Sequence, residues 1–183
     1  EIVSPGPDRT MVFQDDAVFP WYTVRQNIEY GIKDSIKDKQ KREKEVERTL
    51  ELVDLSSSAD LFPRQLSGGM RKRVDVARAI ITKPEVLLMD EPFAALDVMT
   101  KQNLQDQFLK IWNEARMTAI FVTHDLEEAL YLADRVVVMA SYPGIISYQV
   151  DIPFDRPRDK DLKTSLEFSK LRRELGHILD ENQ

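Results

Sequence analysis

Leu66-Ser67-Gly68-Gly69-Met70-Arg71-Lys72-Arg73 decides how this chain is read. The run opens a helical stripe of Val74, Ala77 and Ile81 that Pro84 ends. A Ser-Gly-Gly step at a helix start leaves first-turn N–H groups without helical partners. Small side chains let an anion approach them closely, and the helix dipole favours negative charge there. Downstream, the apolar run Val86-Leu87-Leu88-Met89 ends in Asp90-Glu91-Pro92. Four apolar residues predict a buried strand, and the carboxylates leave its C-terminal end, where open α/β sheets bind ligands. Each feature has a plain alternative, a glycine turn or a solvated acidic turn. In this order and spacing they reinforce each other.

Working outward, a short strand is expected at Thr10 to Phe13, after a Pro/Gly turn over Glu1 to Asp8. The loop Phe19-Pro20-Trp21-Tyr22 then leads to a helix capped by Thr23, with Val24, Asn27, Ile28 and Ile32 on its inner face. Lys33 to Asp54 reads as an amphipathic helix with a charged outer face, and Ser56 to Asp60 as a loop. The Ser-Gly-Gly helix should run from about Gly69 to Thr82, with Asp75 between Arg71 and Arg78 as a weak surface ion network. Further strands are expected at Thr118 to Thr123 and Arg135 to Met139, and helices at Met99 to Glu114 and Leu126 to Ala133. Such alternation predicts a parallel sheet covered on both faces. A hairpin return after Pro143-Gly144 and a last helix through Leu171, Leu175 and Ile178 complete the chain. His177 on that helix reads as a surface residue.

The series Gln14, Leu66 to Met70, Asp90-Glu91, Ala94-Ala95-Leu96-Asp97 and Thr123-His124-Asp125 resembles the ATP-binding cassette (ABC) ATPases. The resemblance implies a P-loop NTPase-like α/β fold. Residues 1–20 and 84–183 would form a partial ATPase core with a parallel sheet, and 21–83 an inserted helical subdomain. It implies ATP and Mg²⁺ as ligands. Leu66, Ser67, Gly68, Gly69 and Met70 would be the signature that meets the γ-phosphate, and Asp97 would lie in the loop that crosses the dimer interface. Asp90 and Gln14 would serve the metal, Glu91 would be the general base, and His124 the switch histidine. Met70 replaces the usual Gln. That replacement, with Phe19-Pro20-Trp21 and Arg156-Pro157-Arg158-Asp159, resembles the nitrate/sulfonate/taurine importer branch. The implied partners are a second ATPase subunit, transmembrane permease subunits and, indirectly, an extracytoplasmic solute-binding protein. The expected location is the cytoplasmic face of the membrane. Phe19, Pro20, Trp21 and Tyr22 have two open readings, a groove for the membrane subunit or packing within the helical subdomain.

No G-x-x-x-x-G-K-[ST] phosphate loop occurs in the 183 residues. The chain is therefore expected to be an N-terminally incomplete cassette, with little ATP binding alone and marginal stability from uncovered strands. A non-catalytic module that lends its signature surface to a partner, and a soluble non-transport ABC ATPase, are the alternatives. Zero cysteines exclude disulfides and thiolate metal sites. A net charge of −6 argues against nucleic acid as a partner.

Overall fold

The computed structural model describes residues 6, 8–94, 96–115, 117–140 and 144–181. Most of the expected Glu1–Asp8 turn, together with Ala95 and Pro143, lies outside them. The chain divides into two compact units, Glu1–Val122 and Thr123–Gln183.

The first unit is built on a parallel sheet of β1 (Arg9–Val12), β2 (Val86–Asp90) and β3 (Thr118–Val122), with β2 central. Val12 pairs with Met89, and Asp90 with Val122. Its helices are α1 (Val24–Tyr30), α2 (Lys39–Leu52), α3 (Gly68–Ile80) and α4 (Val98–Ala115). Side chains alternate across a strand, so Val12, Leu87 and Met89 share one face, and all three are buried. Phe121 joins them, edge-on to Phe108 of α4 at 4.9 Å between centroids. The other face is open, contrary to the expectation of cover on both sides. Met11, Ile120 and Val122 are 41%, 51% and 56% exposed.

α1 starts at Thr23 through a capping box with Gln26, which satisfies two end groups reciprocally. Such a cap contributes about 1 kcal/mol. The end of α1 abuts α3 at Gly31, where a Cβ would lie 2.7 Å from the Arg78 carbonyl oxygen. Only glycine allows this approach. Asp75 is a correction to the sequence reading. It is 3% exposed, and its Oδ1 accepts from Arg78 Nη2 at 2.8 Å. The α3 stripe that seemed to face water instead faces the chain between β1 and α1.

The second unit holds α5 (Leu126–Leu132), β4 (Arg135–Met139), β5 (Ile146–Asp151) and α6 (Leu166–Glu181). β4 does not extend the parallel sheet. It pairs antiparallel with β5, as the expected hairpin return requires. The end of α5 is sealed by two arginines. Arg158 donates to the carbonyls of Tyr131 and Ala133 at 3.0 and 2.7 Å, and Arg156 to that of Leu132 at 2.6 Å. Cations there satisfy terminal carbonyls and oppose the negative end of the dipole. Burial nevertheless pulls the Arg158 pKa down to about 10. Leu175 of α6 is fully buried and His177 is exposed, as expected.

Candidate functional site

Because β1 and β2 are parallel neighbours, the segments that leave their C-terminal ends emerge from one sheet edge. That edge carries Gln14, two residues beyond β1, and Asp90-Glu91 at the end of β2. Gln14 is exposed, and Asp90 and Glu91 are half-buried. Asp90 still belongs to the strand and shares the open face with Leu88. Glu91 turns out of it with φ 40°, in the left-handed region that costs a residue with a Cβ roughly 1–2 kcal/mol. Two hydrogen bonds hold it there. Its N–H donates to Val122 O at 2.9 Å, and its carbonyl accepts from Ala94 N at 3.2 Å. Strain retained in this way is a mark of functional turns.

The expected anion site is a genuine helix start. Ser67 is the N-cap of α3, and its Oγ accepts from Met70 N at 3.3 Å. Gly68 and Gly69 come next, in the first turn, where no preceding carbonyl is available within the helix. The two glycines are not equivalent. A Cβ on Gly68 would meet nothing closer than 3.8 Å, whereas one on Gly69 would lie 2.5 Å from Thr100 Cγ2. Gly69 is needed for packing against α4, whereas a side chain at Gly68 would make only ordinary contacts, with Arg71 and Leu96. Leu66 is buried, Ser67 exposed and Met70 half-buried.

Asp97 is exposed and precedes α4, and its carboxylate accepts from Thr100 N at 3.0 Å. Hydrogen bonds from Thr100 pull its pKa down. Capping α4 accounts for that side chain within the unit. His124 lies in the second unit and is exposed. It is held between Thr123, whose Oγ1 accepts from Asp125 N at 3.0 Å, and Asp125. The latter caps α5 by accepting from Glu127 N and Glu128 N.

In the aromatic segment Phe19 is the hub. Its ring centroid is 4.8 Å from Tyr30, 5.6 Å from Trp21 and 5.7 Å from Tyr22. Phe19 and Tyr22 are half-buried, whereas Pro20 is exposed and Trp21 is 66% exposed. Asn27, fully buried, closes the loop by accepting from Phe19 N at 2.8 Å and donating to the carbonyls of Phe19, Tyr22 and Thr23. The sequence reading placed Asn27 on an apolar face and missed this role. Its only signal was an amide on an otherwise apolar stripe.

Among the described residues no group of three or more His, Asp or Glu side chains forms a metal cage. Mg²⁺ does not require one, since it keeps waters and takes one or two carboxylates with substrate phosphates. A strand-end carboxylate, with Gln14 on the segment that leaves the neighbouring strand, supplies oxygen donors of the kind that ion takes in company with a nucleotide.

Comparison with known proteins agrees with this layout. The family described as ABC transporter matches residues 2–94. A Brucella abortus protein named as ATP-binding is 44% identical over 182 residues, spanning all of this chain and 70% of the relative. The nitrate import ATP-binding protein NrtD of Synechococcus elongatus is 48% identical over 164 residues, covering 87% of this chain and 60% of that protein. The structure of cbiO1 from Clostridium perfringens, part of the ABC transporter complex cbiONQ, superposes with a TM-score of 0.75. It does so at 25% identity, over 95% of this chain and 68% of that one. With a parallel sheet, a strand-end carboxylate pair and a Ser-Gly-Gly helix start in the expected order, the chain belongs to the ABC transporter family.

Proposed function

We propose that this protein is the ATP-binding and ATP-hydrolysing subunit of an importer. Two copies would meet so that Ser67 to Met70 of one engages the terminal phosphate of ATP held by the other. The observation that carries the reading is the edge shared by Gln14, Asp90 and Glu91, in one unit with the Ser67-capped helix. Glu91 takes a proton from water as its oxygen attacks the γ-phosphorus. The bond to the β–γ bridging oxygen breaks, and ADP leaves. Asp90 and Gln14 would hold Mg²⁺, which neutralises phosphate charge when bound. The first-turn amides of α3 favour the charge on the terminal phosphoryl group. By the family resemblance, His124 would contact the same group and Asp97 would lie where the two copies cross.

Trp21, exposed beside a packed Phe19, suits a membrane subunit, because aromatic residues are favoured at interface cores. Among the described residues no helix is long and apolar enough to cross a membrane. Permease subunits would therefore supply the path, and this subunit would act at their cytoplasmic face. The cargo is a small anion such as nitrate, a sulfonate or taurine. The name of NrtD supports the first, and a 43% identical relative named for bicarbonate transport adds that anion to the class.

The test is ATP turnover by the protein assembled with its membrane partner. Glu91→Gln is expected to abolish turnover while an ATP-bound dimer accumulates in size-exclusion chromatography. Undiminished turnover removes Glu91 as the base. The 183 residues alone, without a phosphate-loop motif, are expected to retain little labelled ATP in equilibrium dialysis, and micromolar affinity would contradict that.

A further inference from the structure

The face of α3 turned towards the β1–α1 connection carries four charged side chains, Arg71, Lys72, Asp75 and Arg78. They lie along one stripe about 10 Å long, from seven residues at 1.5 Å rise. Each engages the segment that holds Gln14 and the aromatic loop. Lys72, 3% exposed, donates from Nζ to Phe13 O at 3.0 Å and to Gln14 O at 2.9 Å. Arg71 Nε donates to Asp16 Oδ2 at 2.8 Å, and Lys72 adds an ion pair to Asp16 at 3.6 Å. Asp75 holds Arg78 at 2.8 Å, and the Arg78 guanidinium lies 4.8 Å from the centre of the Phe19 ring.

Stability alone is a poor account of these choices. An ammonium taken out of water is costly, and an apolar side chain of similar length would avoid the cost. Lys72 offsets it through bonds to the carbonyls of Phe13 and Gln14 and an ion pair with Asp16, all within the segment it holds. The Asp75–Arg78 pair leaves Asp75 Oδ2 and Arg78 Nη1 buried without hydrogen-bond partners. An incompletely satisfied buried pair stabilises little but still orients what it touches.

We propose that Lys72 and Asp75 are positioning residues of the ATPase. They clamp residues 13–19 to the helix whose first turn meets the terminal phosphate, so that Gln14, the aromatic patch and α3 move as one body. The inference rests on the ATP-hydrolysing reading above. It gives that reading a mechanical link, since displacement of the helix start is passed to Gln14 and Trp21 through side-chain bonds rather than through a slack loop.

Amide hydrogen exchange of the 183-residue chain without nucleotide tests the clamp. Lys72→Met and Asp75→Asn should each speed exchange at residues 14–19. The factor expected is about ten- to a hundredfold, as loss of hydrogen bonds to a charged group implies, with α2 and β2 within about twofold. No change at 14–19, or equal acceleration throughout the unit, overturns the proposal. Should Lys72→Met not fold, Lys72→Gln, which keeps a donor, carries the same test with a smaller local increase expected, and no local increase overturns it. In the assembled transporter Lys72→Met should lower kcat about tenfold or more while KM for ATP stays within about threefold, because it displaces Gln14 without touching nucleotide. An unchanged kcat overturns the positioning role. A wild-type assembly that turns over no ATP refutes the ATPase reading instead and leaves the exchange result standing.

Discussion

Gly69→Ala puts the packing of α3 on α4 to a quantitative test. The added Cβ would lie 2.5 Å from Thr100 Cγ2, where two carbons rest at about 3.5–4.0 Å. Two adjustments can relieve the overlap. The helices can separate, at the roughly 1–3 kcal/mol typical of overpacking. Otherwise Thr100 can rotate about χ1, which swings its hydroxyl away from the Asp97 carboxylate it supports. Alanine's helix preference over glycine returns up to about 1 kcal/mol, and less in a first turn. The net expectation is a loss of about 1 kcal/mol. Thr100→Ser removes the γ-methyl and keeps the hydroxyl, at about 0.8 kcal/mol for one methyl group that is only partly buried. In the double variant the alanine methyl occupies the space the threonine methyl left. The changes should therefore be non-additive by about 1–2 kcal/mol in urea unfolding. Gly68→Ala, with nothing nearer than 3.8 Å, is the control and should unfold at the wild-type midpoint or slightly above it. If Gly69→Ala is as stable as wild type, or Thr100→Ser rescues nothing, the division of labour between the two glycines is wrong.

Arg158→Met should destabilise the second unit by about 3 kcal/mol, because it orphans carbonyls at the end of α5 that the buried guanidinium now satisfies; circular dichroism melts of the pair would show it. Glu91→Gly releases a left-handed φ of 40° and should raise stability by about 1 kcal/mol while ending ATP turnover, so a destabilised variant would mean the turn is not strained. The hydrogen bond from Lys83 lowers the Glu45 pKa below its ordinary 4.5. A lowered folded pKa contributes stability that is present above 4.5 and lost as pH falls through the folded value. Since Lys83 is 67% exposed, the contribution is under about 1 kcal/mol. Glu45→Gln should thus lower the melting temperature slightly at pH 7 and not at pH 3, and an equal drop at both would refute the pairing.

Local features were legible wherever short-range chemistry sets them. Thr23 caps α1, Ser67 caps α3, Pro84 comes after the end of α3, and Arg135–Met139 forms a strand with the expected bounds. The carboxylate pair could be placed at a strand end because an apolar run followed by two acids has few other solutions in a parallel sheet. The ion network of Asp75 with Arg71 and Arg78, expected at the surface, lies on a face of α3 that the Gln14 segment covers, and Asp75 is buried there. Periodicity says which residues share a face but not what that face meets.

Residue order alone therefore determined the family, the strand–helix alternation and the chemical types at the candidate site. These depend on hydrophobic period, caps and motif spacing, all of which act over a few residues. Tertiary structure decided that the α3 stripe is buried, that a Cβ would strike Thr100 at Gly69 and not at Gly68, and that one face of β1–β2–β3 stands uncovered. Each depends on which segments distant in sequence come together. A side chain's cost or benefit there is set by the neighbour it meets in space.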